Sequence, residues 1–501
     1  MKLLFKIYLA VVFMRFFIAL EQHPMFDLSS DDYYYYLNSK GFFYFGDLLH
    51  YNDGTEGVFN GPNYLYQILV SFSFLFHNPL IVVKLFNSFL LNSIVFPVYL
   101  VLKNYNRRND AILYASSILF YPQFNFVGFW ITEVLAIPLF VWYLYFLYVT
   151  RKLNHRIIIS IVFSILIFYT RPQFLPIVFS FIVVQTIQIL FQRKPFLARS
   201  NSFVFLLILF SIVSVAFWVT KFLYNQLGLI GLSKYLGYYY GYLALFNFEF
   251  YARDPEIFLQ WRTWFLDWMS TLLTQVFIPL FLIFYFGINE FRKKKIRGID
   301  LLWRVILVNF CIIVFMHLVL YYGRDPLSRY GETHFVYYTR YFLPASISIY
   351  FMGFATVYDK RKTSLVFKIL YFGFFAFLAY RSFFIMNPLF PERNYHLACF
   401  VGIEISIFKR YIENSPYQNL TLILFVVFSF FHIFNTKENL VYVKRAAAWF
   451  MIFFWILTAG VYMKHYKTLC ALDPTYFGFP DGMGYQEGQR PQKWEWLNNK
   501  P

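Results

Sequence analysis

Residues 130–150 read WITEVLAIPLFVWYLYFLYVT, and the only charged side chain among them is Glu133. A helix crosses a hydrocarbon core about 30 Å thick with about 20 mostly apolar residues. Similar runs lie at 3–20, 62–77, 79–102, 111–128, 157–170, 173–192, 203–223, 264–288, 301–322, 341–357, 365–386, 418–435 and 440–463, with a weaker one near 397–408. The 501-residue chain is 59% hydrophobic and 25% aromatic, with 14% charged residues. A soluble domain carries about 25% charged residues, and no soluble interior of this size could hide so much apolar side chain. The expected architecture is therefore an all-α polytopic membrane protein with about eleven to thirteen transmembrane helices. Some of the runs are too short to cross alone.

The net charge is +18, from 44 Lys and Arg against 26 Asp and Glu. The basic residues gather in short loops between apolar runs: Lys103 to Arg108, Arg151 to Arg156, Arg193 to Arg199, Arg292 to Arg297 and Lys360 to Lys362. That distribution orients helices with these loops in the cytoplasm and favours anionic headgroups. No nucleic-acid partner is expected, since no folded basic domain exists to carry one. Segments 21–61, 224–262, 323–340, about 387–396 and the tail from 464 are left for the outer side. One parity conflict arises. If both 62–77 and 79–102 span, the loop from Lys103 to Asp110 falls outside against its charge, so one of the two is expected to be partial or interfacial. Lys2 and the apolar run Leu3 to Leu20 read as a retained first helix, because Lys6 and Arg15 interrupt it and no small-residue cleavage site follows. Cys311, Cys399 and Cys470 are scattered, which indicates neither a disulfide framework nor a metal site.

The first outer segment contains EQHPMFDLSSDDYYYYLNSKG, residues 21–41. Ser29 and Asp32 fit a capping box, and Gly41 is placed to end the short helix that follows. This predicts a juxtamembrane helix that starts at an acidic pair, Asp31 and Asp32. Either acid could serve only to cap the helix and complement its dipole. The box does not need Asp31, which leaves that carboxylate open to another role.

Asp31-Asp32-Tyr33-Tyr34-Tyr35 directly after a first transmembrane helix resembles the D-[DE]-x-x-Y signature of GT-C glycosyltransferases, integral-membrane enzymes that take sugar from a polyprenyl-phosphate donor. Further matches follow in order. Gly61 to Tyr66 resembles the family's Pro-rich entry into the second helix, and Tyr121-Pro122 through Thr132-Glu133 its P…TE stretch. Thr170-Arg171-Pro172 resembles its TRP helix end, and Arg340-Tyr341-Phe342-Leu343-Pro344 its RYxxP helix entry. The likeness is to the bacterial group of protein mannosyltransferases and aminoarabinose transferases. His23-Pro24 echoes the H-P-D-E motif of another branch, but Met25-Phe26 breaks it.

The resemblance implies a GT-C core over residues 1–357, including the outer loop 21–61. Residues 358–463 would add C-terminal transmembrane helices, and 464–501 a polar tail. It implies inverting transfer of a hexose or pentose to an acceptor hydroxyl on the non-cytoplasmic face, with Asp31 as general base and Asp32 as its acidic neighbour. The chemistry is self-consistent. A carboxylate takes the acceptor's proton, cations hold the leaving phosphate, and a sugar already activated on phosphate needs no cofactor; a metal is not indicated by any ligand spacing, and metal dependence stays open.

Glu133 lies within an apolar stretch, where an acid is costly and usually functional. It would orient a sugar as a second carboxylate, or pair with an Arg or Lys for structural reasons. The candidate phosphate and substrate binders are Arg171, Arg324, Arg329, His334, Arg340 and Tyr341. Arg171 ends an apolar run and could equally snorkel to the headgroups. Arg324 and Arg329 could pair locally with Asp325 and Glu332, and His334 could be a plain surface residue. The aromatic loop from Tyr235 to Tyr251, with Trp261, Trp264 and Trp268, reads as an interfacial belt. The expected partners are a polyprenyl-phosphate-linked sugar and a lipid, glycan or protein acceptor. The expected location is a bacterial inner membrane with the site facing outward, or the endoplasmic reticulum in a eukaryote. A transporter or flippase is the main rival reading, and a glycan polymerase or ligase a further one. Transporters commonly show repeats and broken midplane helices, and the sequence has neither. Sugar and acceptor stay open.

Overall fold

A helix that is apolar on every side can be satisfied only by neighbours all round it. The segment Glu133–Val149 is such a helix, surrounded by other described helices. The computed structural model describes residues 1–20, 31–46, 64–120, 130, 132–191, 298–323 and 343–355, with single positions within 369–377 and 441–452. Among the described residues all regular structure is helical. The elements are α1 (Lys2–Leu20), α2 (Asp31–Phe45), α3 (Tyr64–Ser71), α4 (Pro79–Asn92), α5 (Val95–Leu102), α6 (Arg108–Ser117), α7 (Glu133–Val149), α8 (Leu153–Phe168), α9 (Pro176–Phe191), α10 (Gly298–Gly323) and α11 (Leu343–Ala355). Helix α7 packs against α4, α5, α8, α10 and α11. Val134, Ile137, Phe140, Val141, Leu144 and Leu147 on it are all buried.

Local sequence explains most of the boundaries. Asn78 caps α4 by accepting the amide of Ile81 at 3.2 Å, and Pro79, which has no N–H to satisfy, opens the helix. Helix α4 passes into α5 through a tight step at Ser93, whose hydroxyl donates to the Leu90 carbonyl at 2.6 Å. Helix α2 corrects one expectation. It does not stop at Gly41 but runs to Phe45 and ends at Gly46, which has φ +69° and whose amide donates to the Phe42 carbonyl at 2.9 Å. The rings after Gly41 account for the extension. Phe43 and Tyr44 both pack on Phe74, at 6.0 and 6.2 Å between centroids, and this packing outweighs the cost of about 1 kcal/mol for an interior glycine. The box residue Ser29 lies outside the described residues.

Helix α3 and the 3-10 turn Phe72–Leu75 that follows it are together about 20 Å long at the usual rise per residue. Both ends meet the same end of the bundle. The amide of Leu65 donates to the carbonyl of Tyr169, just after α8, at 2.8 Å. Phe74 packs against Trp130, just before α7, at 6.0 Å.

The opposite end of the bundle gathers the basic segments among the described residues. Tyr148, near the end of α7, hydrogen-bonds Asn104 and Tyr105 at 3.1 Å each, just after α5. Asn106 donates to the carbonyl of Phe354 at the end of α11 at 3.1 Å. The buried ammonium of Lys444 donates to the same carbonyl at 2.9 Å and to Asn106 at 3.3 Å. Beside it, Arg445 pairs with Asp110 at 2.6 Å. The stretches Lys103–Arg108, Arg151–Arg156 and Lys444–Arg445 therefore share one end.

Among the described residues, Lys2–Leu20 and Pro79–Leu102 are the stretches long and apolar enough to cross a membrane. Shorter apolar helices are Tyr64–Leu75, Glu133–Val149, Leu153–Phe168, Pro172–Gln188 and Pro344–Ala355. The runs 203–223, 264–288, 397–408 and 418–435, and the tail 464–501, lie outside the described residues, as do most of 365–386 and 440–463.

The first helix is held by a buried cation. Arg15 is 1% exposed and donates to Asn92 Oδ1 at 3.0 Å and to the carbonyl of Leu119. Asn92 in turn donates to the Ser88 carbonyl at 2.7 Å. Truncating Arg15 strands these buried acceptors, at about 1–3 kcal/mol each. Arg15→Ala should lower the thermal midpoint of the purified protein by at least about 3 °C, and Arg15→Lys should lower it less. An unchanged midpoint in the Ala variant would show that α1 is held by apolar packing alone.

Candidate functional site

The site is built where α2, α7 and α8 meet. Glu133 is the first residue of α7, so its carboxylate stands at the positive end of a helix dipole. Thr132 precedes it as the flanking residue. Arg171 lies in the short extended step between α8 and the 3-10 turn Pro172–Phe174. Pro172 disfavours helical backbone at the residue before it, so α8 ends and the Arg171 side chain turns inward. It is 3% exposed, which sets aside snorkelling, the alternative to phosphate binding in the sequence reading.

There Arg171 Nη2 meets Glu133 Oε1 at 2.9 Å, with Glu133 1% exposed. The other guanidinium nitrogens are also engaged. Nη1 donates to Thr132 Oγ1 at 3.1 Å and to the Tyr35 hydroxyl at 3.3 Å, and Nε donates to Gln173 Oε1 at 3.0 Å. Thr132 Oγ1 lies 3.4 Å from the second carboxylate oxygen of Glu133, to which it donates. A charged pair this deep is tolerable only because additional hydrogen bonds satisfy both ions.

Tyr35 belongs to α2 and ties that helix to the pair. A second tie lies one turn on: Trp130 donates its indole N–H to Ser39 Oγ at 3.2 Å, and Ser39 donates to the Tyr35 carbonyl at 2.6 Å. Tyr36 meets Trp130 edge-on at 5.2 Å between centroids, a preferred aromatic geometry. Asp31 and Asp32 open α2, one helical turn ahead of Tyr35 and Tyr36. Lys40 of α2 stands over the Tyr44 ring at 5.9 Å, and partial burial lowers its pKa from the ordinary ammonium value.

The structure thus brings Glu133 and Arg171 together, with the start of α2 beside them. The side chains of Asp31 and Asp32, and the residues Arg324, Arg329, His334, Arg340 and Tyr341, lie outside the described residues. Trp130, Ser39 and Gln173 are site residues that the sequence reading does not single out. The available signals are a serine one turn after Tyr35 and a tryptophan two positions before Thr132. A comparison with protein-family models, with curated proteins and with solved structures finds no match to this chain.

Because the pair is buried, removing one partner leaves an uncompensated charge, at about 3–5 kcal/mol. Glu133→Gln or Arg171→Met alone should lower the thermal midpoint strongly, whereas the double variant Glu133→Gln/Arg171→Met should recover most of it. Additive losses in the double variant would show that the two ions contribute separately.

Proposed function

We propose that this chain is a polytopic membrane glycosyltransferase of the GT-C type, moving a sugar from a polyprenyl-phosphate donor to an acceptor hydroxyl on the non-cytoplasmic face. The observation that carries this reading is convergence. The segments Asp31–Tyr35, Thr132–Glu133 and Thr170–Pro172, far apart in sequence, meet around the Glu133–Arg171 pair. Each is a weak motif alone, and chance likeness gives no reason for them to share a site.

Two features of the bundle support the membrane orientation. The basic segments share the end opposite α2, as expected if that end faces the cytoplasm. Helix α3 and its 3-10 extension are too short for a hydrocarbon core of about 30 Å and touch the α2 end at both termini. An interfacial α3 removes the parity conflict, because the Lys103–Asp110 loop then falls on the cytoplasmic side.

In this reading Asp31 accepts the proton of the acceptor hydroxyl as the new glycosidic bond forms at the anomeric carbon. The bond from that carbon to the donor phosphate breaks, and the polyprenyl phosphate leaves with its electron pair. Arg324, Arg329 and Arg340 are the candidates to hold that phosphate, and His334 and Tyr341 are further candidates, since guanidinium matches phosphate in geometry. A helix start favours negative charge, which suits a carboxylate base at Asp31.

The test is sugar transfer by purified protein in nanodiscs from a panel of undecaprenyl-phosphate sugars. Asp31→Asn keeps the helix start and removes the proton acceptor, so turnover should fall about 10²–10⁴-fold, while Asp32→Asn should cost less. Normal turnover by Asp31→Asn with a dead Asp32→Asn would move the base to Asp32, and normal turnover by both would remove carboxylate chemistry from α2.

Orientation is tested separately in a background with Cys311, Cys399 and Cys470 replaced by Ser. An impermeant thiol reagent added outside should label a cysteine at 31 and spare one at 293. The reverse pattern would overturn both the topology and the mechanism.

A further inference from the structure

We propose that Arg171 is a positioning residue for α2 and not a ligand of the donor phosphate. All three guanidinium nitrogens already have protein partners: Glu133, Thr132, Tyr35 and Gln173. Glu133 fixes the guanidinium, because the buried carboxylate and its cation cannot separate without leaving two uncompensated charges. The fixed guanidinium then holds the Tyr35 hydroxyl, and Tyr35 stands one turn after Asp31 on the same helix. The ion pair therefore sets where the first turn of α2 stands relative to the entry of α7 and the exit of α8.

A second contact acts in the same sense. Trp130 is 1% exposed and holds Ser39, which binds back to the Tyr35 carbonyl. Tyr35 is thus gripped at its hydroxyl by Arg171 and at its backbone through Ser39. Two grips on one residue resist both rotation and sliding of α2. A catalytic group displaced by about 1 Å can lose about 10²-fold in rate, so a helix that carries a base needs such a fixture. The tether stands on its own geometry, while its catalytic consequence rests on the transferase reading.

The experiment compares wild type, Tyr35→Phe and Glu133→Gln/Arg171→Met in nanodiscs, with hydrogen–deuterium exchange and binding of undecaprenyl phosphate as readouts. Undecaprenyl phosphate is the leaving group common to donors of this class, so the sugar need not be known. Tyr35→Phe removes only the hydroxyl and leaves the ion pair in place. It should raise exchange in the α2 peptide about tenfold, as expected for loss of one hydrogen bond to a charged group. Exchange in α7 and α8 should stay unchanged. The double variant should show the same faster exchange in α2 and bind undecaprenyl phosphate within about threefold of wild type, since no phosphate ligand is lost.

Unchanged α2 exchange in both variants would overturn the tether. A loss of undecaprenyl phosphate binding of about tenfold or more, confined to the double variant, would make Arg171 a phosphate ligand and overturn the assignment. If wild type itself binds no undecaprenyl phosphate, the donor class of the transferase reading fails, and the exchange result still decides the tether.

Discussion

The ion pair between Glu133 and Arg171 is the constraint on which the acidic end of the molecule depends. It joins the first residue of α7 to the step after α8 at 2.9 Å, with both side chains almost wholly buried. Neither ion can leave without stranding the other, so the two helix ends move as one body. Everything above that junction is arranged from it. Thr132 bridges the two ions, Tyr35 reaches it from α2, and Trp130 extends the same contact one helical turn further along α2.

The opposite end is held by different means. Among the described residues the contacts there are hydrogen bonds, from Asn106 and Lys444 to the Phe354 carbonyl and from the side chains of Asn104 and Tyr105 to the Tyr148 hydroxyl, with an ion pair at the rim between Arg445, 41% exposed, and Asp110. A rim pair of this exposure contributes little by itself. Its value is registration: it brings Arg445 onto the first turn of α6. Among the described residues the bundle therefore has one end tied by a buried ion pair and carrying the acidic helix, and an opposite end tied mainly by hydrogen bonds and carrying basic loops.

Much of this was legible in the sequence, for identifiable reasons. Most of the apolar runs match described helices to within a few residues because length and hydropathy dominate there, although the run 79–102 is divided into α4 and α5 and α6 ends at Ser117 within the run 111–128. The start of α2 at Asp31 was readable from its acidic pair. Three things were not. Gly41 looked like a helix end, yet the aromatic residues after it pack on Phe74 and carry α2 to Gly46. Glu133 read as an acid in an apolar stretch that orients a sugar or pairs with an Arg or Lys, and periodicity cannot show that α7 begins at that residue or which cation it meets. Arg171 read as a phosphate binder or a snorkelling cation, because no local pattern reveals a partner 38 positions away in sequence. These are tertiary facts, and only the order of the motifs hinted that their owners might meet.

The most direct test of the central claim is to find where a polyprenyl phosphate binds. A diazirine-bearing undecaprenyl phosphate analogue is photolysed with the protein in nanodiscs, and the modified peptides are identified by mass spectrometry. The expected result is adducts in α2, at the entry of α7 and in the segment from Arg324 to Tyr341, competed by unlabelled undecaprenyl phosphate. Adducts confined to the basic end, in the segments around Lys103–Asp110 and Lys444–Arg445, would contradict it.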